Sequence, residues 1–202
     1  MNIADEILKN PEAFWSNRYQ TRETGWDIGY VSGPVKAILD GITDKSICIL
    51  IPGAGNAWEA EYAWDLGFKN VHVLDISAQA LQNFQLRLPE FPKDQLIHAD
   101  FFKHEGIYDL ILEQTFFCAL HPSLRSAYVE KMYEILAPGG SLRGVLFASA
   151  MNSDRPPFGG SEPEYRNLFL HVFSKAHFEL CKISIDPRLG NELLFSAEKE
   201  HV

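Results

Sequence analysis

Cysteine is scarce in this chain, and a run of like charge is missing altogether. Cys48, Cys118 and Cys181 are odd in number and far apart. They suit neither a disulfide framework nor a paired metal clip, so a reduced, cytoplasmic setting is expected. The 18 Lys and Arg are outnumbered by 27 Asp and Glu, for a formal net charge of -9. With no basic run to track phosphates, a nucleic acid partner is not expected. A long apolar run is also missing, and Met1 to Glu6 is acidic where a leader needs a basic start. Neither a membrane nor a secretory route is therefore expected. No internal repeat, low-complexity tract or metal-ligand spacing of His, Cys, Asp and Glu is visible, and there is no obvious catalytic triad.

What is present is alternation of strand and helix across a length of 202 residues that suits one domain, 1–202. Ser46 to Ile51 reads as a first strand, Trp58 to Leu66 as a helix ended by Gly67, and Val71 to Leu74 as a second strand. Ser77, a good N-cap, opens a helix to about Leu86, and Gln95 to His98 is a third strand. Tyr108 to Glu113 is apolar enough for the centre of a sheet covered on both faces. A helix carrying Leu124, Tyr128, Met132 and Leu136 on one face stops at Pro138-Gly139-Gly140, and Ser141 to Ala148 is a fifth strand. Tyr165 to Phe173 reads as helix, with last strands at Lys182 to Ile185 and Glu192 to Ala197 around a turn-rich Asp186 to Asn191. The short final connection forces an antiparallel pair. The expected fold is α/β: a doubly wound, mostly parallel seven-stranded sheet with one antiparallel strand near the C-terminus. Residues 1–42 precede it as an N-terminal helical cover.

The chemistry concentrates in Ile51-Pro52-Gly53-Ala54-Gly55-Asn56-Ala57, a turn leaving the first strand, and in Asp75 at the end of the second. Gly53 and Gly55 allow positive φ or close approach of a ligand. A carboxylate at Asp75 is placed to accept two ribose hydroxyls, with Ser77 available for the capping task. Dinucleotide binding asks for a third small residue where the helix meets the strand and receives a pyrophosphate. Trp58 stands there, whereas the shorter Gly-x-Gly-x-Ala spacing is complete at Ala57. S-adenosyl-L-methionine, which has no phosphate, is the better fit.

With these come Phe14-Trp15-Ser16-Asn17-Arg18-Tyr19, Thr24-Gly25-Trp26-Asp27, Ala99-Asp100-Phe101-Phe102, Glu113-Gln114-Thr115-Phe116-Phe117-Cys118-Ala119-Leu120 and Pro156-Pro157-Phe158. In order and spacing the set resembles the thiopurine S-methyltransferase family of class I methyltransferases, most closely its thiol and halide branch. The resemblance implies that Trp15, Tyr19 and Trp26 close over the cofactor. It also implies that Gly53 and Gly55 pass under the methionine part, that Asp75 holds the ribose, that Asp100 and Phe101 line the adenine, and that Gln114 lies beside the sulfonium. The family often has Tyr or Arg at Gln114, Asp at Glu113 and Cys at Ala54, and the tract Asn152 to Arg155 also differs from its pattern.

Such a transfer needs alignment and water exclusion more than a general base, and aromatic faces suit a cationic donor. Trp15, Tyr19, Trp26, Phe116, Phe117 and Phe158 are candidate walls. His121 and Phe158 are candidates on the acceptor side, with Arg143 and Arg155 as possible attractors of an anion. The expected activity is transfer from S-adenosyl-L-methionine, leaving S-adenosyl-L-homocysteine, to a small-molecule acceptor with a soft nucleophile: a thiol, hydrosulfide, halide or thiopurine-like thiol. Alternatives are an oxygen, nitrogen or metalloid acceptor, or a cofactor-binding protein without catalysis. A monomer is expected, because the N-terminal segment folds over its own site.

Overall fold

The computed structural model describes residues 3–201; Met1 and Asn2 of the expected cover, and Val202, lie outside the described residues. Seven strands form one sheet: β1 (Ile49–Pro52), β2 (Val71–Asp75), β3 (Leu96–His98), β4 (Tyr108–Gln114), β5 (Leu136–Phe147), β6 (Lys175–Leu180) and β7 (Glu192–Glu198). Their order is β3-β2-β1-β4-β5-β7-β6. Only β7 is reversed, pairing antiparallel with both β5 and β6, so the expected architecture holds. All four residues of β1 are buried, because helices cover both faces of a parallel sheet centre.

Helices α3 (Gly33–Asp40), α4 (Trp58–Asp65) and α5 (Ala78–Arg87) pack one face through Val35, Leu39, Ala60, Ala63, Leu81 and Phe84. Helices α6 (Arg125–Ile135) and α7 (Glu162–Leu170) pack the other through Tyr128, Met132, Ile135, Tyr165 and Phe169. Ahead of them lie α1 (Ile3–Lys9) and α2 (Pro11–Thr21). Asn10 caps α2, accepting the Ala13 N–H, and Pro11 takes the first turn, where a missing N–H costs nothing. Ala4, Ile7 and Phe14 form a small satellite core with Phe158. The cover is thus helical in α1 to α3, but α3 belongs to the main packing layer.

Two strand boundaries differ from expectation. The sixth strand is Lys175–Leu180, not 182–185, which is irregular here. As an edge strand it buries only Phe178 well, stacked on Phe195 of β7, so it carries little periodic signal. Helix α6 ends at Ile135, and β5 begins immediately at Leu136. The Pro138-Gly139-Gly140 segment bulges out of β5: Tyr108 pairs with Leu136, and Leu110 already pairs with Ser141.

Candidate active site

β1 turns at its carboxyl end through two left-handed glycines, Gly53 and Gly55, both at φ 57°. A Cβ on Gly53 would overlap the Phe116 ring, and one on Gly55 would overlap the Tyr19 hydroxyl. Both positions therefore need glycine for backbone and for space. Asp75, only 5 % exposed, ties this turn to the next: Oδ2 accepts the Gly55 N–H at 2.8 Å and Oδ1 the Ser77 N–H at 2.7 Å. Ser77 does cap α5, accepting the Ala80 N–H, but Asp75 is not idle as expected. Burial pushes its carboxyl above the ordinary range against these hydrogen bonds. A carboxylate has about four acceptor sites, and the N–H groups of Gly55, Ser77 and Ile76 act on this one, so it retains capacity for a further donor.

These turns floor a cleft of about 670 Å³ at the carboxyl ends of β1 and β4, where the strand order reverses. Trp15, Tyr19, Trp26, Gly53, Gly55, Asp75, Asp100, Phe101 and Gln114 all line it. Trp26 meets Trp15 edge-on at 5.4 Å and Tyr19 at 5.8 Å, and its indole N–H donates to the Tyr19 hydroxyl at 3.4 Å. Desolvation, with Asp75 nearby, pushes the Tyr19 phenol up, so it remains neutral. At the end of β4, the Ser32 hydroxyl donates to Gln114 Oε1 at 2.6 Å. Gln114 Nε2 is buried without a hydrogen-bond partner among the described residues, an unsatisfied donor on a residue that lines the cleft.

Glu113, fully buried at the end of β4, shapes the loop that follows. Its Oε1 accepts the N–H groups of Phe116 at 2.8 Å and Phe117 at 2.9 Å, and its Oε2 accepts the Tyr128 hydroxyl. Desolvation pushes this carboxyl up to about 7. The same loop holds Thr115 at φ 60° and turns Phe116 into the cleft, while Phe117 goes into the core. Cys118 also reaches the cleft wall, but burial raises its thiol far from ionisation.

His121 and Phe158 do not line the cleft. His121 turns its Nδ1 to the Ser123 hydroxyl at 2.8 Å, and Phe158, 1 % exposed, packs in the satellite core. Arg143 bonds Ser141, and Arg155 pairs with Asp154 at the surface. The cleft's cations are instead Arg18 and Arg188. Arg188, in the loop between β6 and β7, donates to the Trp26 carbonyl at 2.8 Å and lies 3.8 Å from Glu192. In the sequence it stood in a turn-rich segment, and nothing local marked it. Ser32, Asn56, Glu59 and Phe147 also line the cleft and carried no sequence signal beyond their neighbours.

The fold and this cleft are those of a class I methyltransferase. Over its whole length the chain is similar to the Burkholderia thailandensis 1,6-didemethyltoxoflavin-N1-methyltransferase, at a TM-score of 0.75 and 16% identity, covering 99% of this chain and 92% of that one. The family profile of thiopurine S-methyltransferase matches residues 10–192. Among individual proteins, the chain is 27% identical over 194 residues to a probable thiol methyltransferase 2 of Arabidopsis thaliana, covering 93% of this chain and 85% of that one. It is 28% identical over 189 residues to thiocyanate methyltransferase 1 of Brassica oleracea, covering 91% and 83%. It is 24% identical over 202 residues to thiopurine S-methyltransferase of Vibrio cholerae, covering 91% and 90%. The chain belongs to the thiopurine S-methyltransferase family and is an S-adenosylmethionine-dependent methyltransferase.

Proposed function

We propose that the cleft carries methyl from S-adenosyl-L-methionine to a small soft nucleophile: a thiol, hydrosulfide, halide or thiopurine-like thiol. The observation that carries this reading is that one apolar cavity is lined by three polar residues: the buried Asp75, Gln114 with its unpartnered amide nitrogen, and Arg188. Asp75, with acceptor capacity left beyond its backbone bonds, holds the ribose, and Asp100 and Phe101 flank the adenine end. Bound cofactor supplies an electrophilic methyl group on a sulfonium sulfur.

Trp15, Tyr19 and Trp26 roof the site, exclude water and turn electron-rich ring faces toward positive charge, an attraction of about 0.5–2 kcal/mol per ring. Gln114 offers an N–H donor at the end of β4. Arg188 raises the local concentration of an anionic acceptor, and a thiolate or halide arrives as its own nucleophile. Neither asks for a general base, so the absence of His121 from the cleft lining removes nothing essential. Alignment under a closed roof contributes up to roughly 7–11 kcal/mol in favourable cases.

The reading extends to setting and partners. The roof comes from the same chain as the floor, which supports a monomer. A net charge of -9 supports a small-molecule acceptor over a nucleic acid. Three free cysteines support the cytoplasm, and among the described residues no helix is long and apolar enough to cross a membrane. The test is calorimetric titration with S-adenosylmethionine and, separately, NAD, followed by release of S-adenosylhomocysteine with hydrosulfide, iodide, thiophenol and a thiopurine. Binding of the first cofactor alone, with turnover of at least one of these acceptors, is the expected result. Tight NAD binding, or no turnover with any soft nucleophile, overturns it.

A further inference from the structure

Trp58 occupies the place where a dinucleotide-binding loop keeps a glycine, and its indole makes a connection that explains its presence. Its Nε1–H donates to Asp27 Oδ1 at 2.7 Å, across 31 residues of chain. The same oxygen accepts the Gly29 N–H at 2.8 Å, and Oδ2 accepts the amide of Asn56. Asn56 is steadied by Asn83, whose amide donates to its Oδ1 at 3.2 Å. Arg87 lies over the Trp58 ring at 3.7 Å and pairs with Glu61, so the indole is held from behind. One carboxylate on the cover thus gathers donors from the cofactor loop and the first turn of α4. The next residue back along the chain is Trp26.

We propose that Asp27 and Trp58 form the latch that holds Trp26 over the cleft, which makes Trp58 a positioning residue for the roof. This rests on the reading of the cleft as the cofactor site. The segment 22–32 has no helix or strand of its own beyond bends and turns. Besides this latch it is tied by Glu23 to Arg18, by the Trp26 contacts with Trp15, Tyr19 and Arg188, and by the Ser32 contacts with Glu59 and Gln114. A hydrogen bond to a charged acceptor, once lost, shifts such a local equilibrium by about tenfold or more. A ligand that binds only under the closed roof then sees its apparent affinity fall by the same factor. The saturated complex is closed in either case and keeps its rate.

The test is Trp58→Phe, which keeps a ring beneath Arg87 and removes the donor. In the ligand-free protein, amide hydrogen exchange of residues 24–30 is expected to accelerate by about tenfold with thermal unfolding little changed. Calorimetry with S-adenosylhomocysteine is expected to show about tenfold weaker binding. The cofactor KM rises with it, while kcat stays within a few fold. Asp27→Ala, which removes the acceptor of Trp58, Gly29 and Asn56 together, should accelerate exchange at least as much, and adding Trp58→Phe to it should cost little more, because the pair acts as a unit. Unchanged exchange in a folded Trp58→Phe protein overturns the latch, as does full additivity of the two substitutions. Should Trp58→Phe fail to fold, the exchange of Asp27→Ala decides. Wild-type protein that does not bind S-adenosylhomocysteine would instead refute the cofactor reading, with the exchange measurement still deciding the latch.

Discussion

Gly55 and Asp75 stand 20 residues apart and share a 2.8 Å hydrogen bond from backbone N–H to buried carboxylate. This bond links the turn after β1 to the turn after β2, and it holds the acid at the wall of the cleft. Replacing Asp75 by Ala leaves the N–H groups of Gly55 and Ser77 buried without partners. A loss of about 2 kcal/mol or more of stability is expected, measured by urea unfolding, together with loss of S-adenosylhomocysteine binding. Asp75→Asn, which restores one acceptor, should recover part of the stability but not the binding.

Gly55 itself gives a sharper test of packing. In Gly55→Ala the new Cβ meets the Tyr19 hydroxyl and sits at φ 57°, where an L side chain costs about 1–2 kcal/mol. Tyr19→Phe removes the overlapping oxygen, leaving the nearest ring atom at 3.5 Å. The double variant should therefore unfold at a higher temperature than Gly55→Ala alone, while the backbone strain persists. Additive losses in the two variants would contradict this packing.

Glu113 predicts a pH dependence of stability. Its carboxyl, ordinarily near 4.5, is pushed up to about 7 by desolvation, so the folded protein holds a proton that the unfolded chain releases. The stability associated with this group is full below about pH 4.5 and is lost as pH rises through about 7, on the order of 3 kcal/mol in total. Glu113→Gln mimics the protonated form. Denaturant unfolding of wild type and variant should converge near pH 4.5, with wild type falling progressively behind up to about pH 7. Parallel pH profiles would disprove the assignment.

Arg188 is expected to govern an anionic acceptor. Arg188→Gln should raise the KM for hydrosulfide or iodide by about tenfold or more, the usual scale for losing a charged partner. Because Arg188 also bonds the Trp26 carbonyl, a smaller loss of S-adenosylhomocysteine affinity is expected beside it. Arg143→Gln and Arg155→Gln, which lie outside the cleft lining, should leave both constants alone.

Cys118 is expected to be dispensable. Its thiol lines the cleft, but burial keeps it protonated, and it donates only to the Thr115 carbonyl. Cys118→Ala should turn over within a few fold of wild type. Alkylation by iodoacetamide at pH 8 should spare Cys118 until the protein is unfolded.

Much of this site was legible before any coordinates. Glycine at positive φ, an acid closing an apolar strand and a serine cap are local requirements, and a local requirement leaves its mark on neighbouring residues. Gly53, Gly55, Asp75, Asp100 and Gln114 were found that way or through the family resemblance they support, and the structure brings them to one cleft. The assignment of β6 failed because an edge strand buries one face weakly. His121 stands on the loop after β4 and Phe158 in the family-like Pro156-Pro157-Phe158 run, but the packing of each side chain carries it elsewhere.

Hydrophobic periodicity and backbone freedom are written residue by residue, and they set the doubly wound order of elements, the glycine turn and its acid. Tertiary structure alone decided that Arg188 reaches a carbonyl 162 residues away and that Trp58 faces Asp27 rather than the sheet. Those choices depend on which distant surfaces meet when the core closes. No window of neighbouring residues carries that information, because the energy lies in contacts formed only after the chain has folded back on itself.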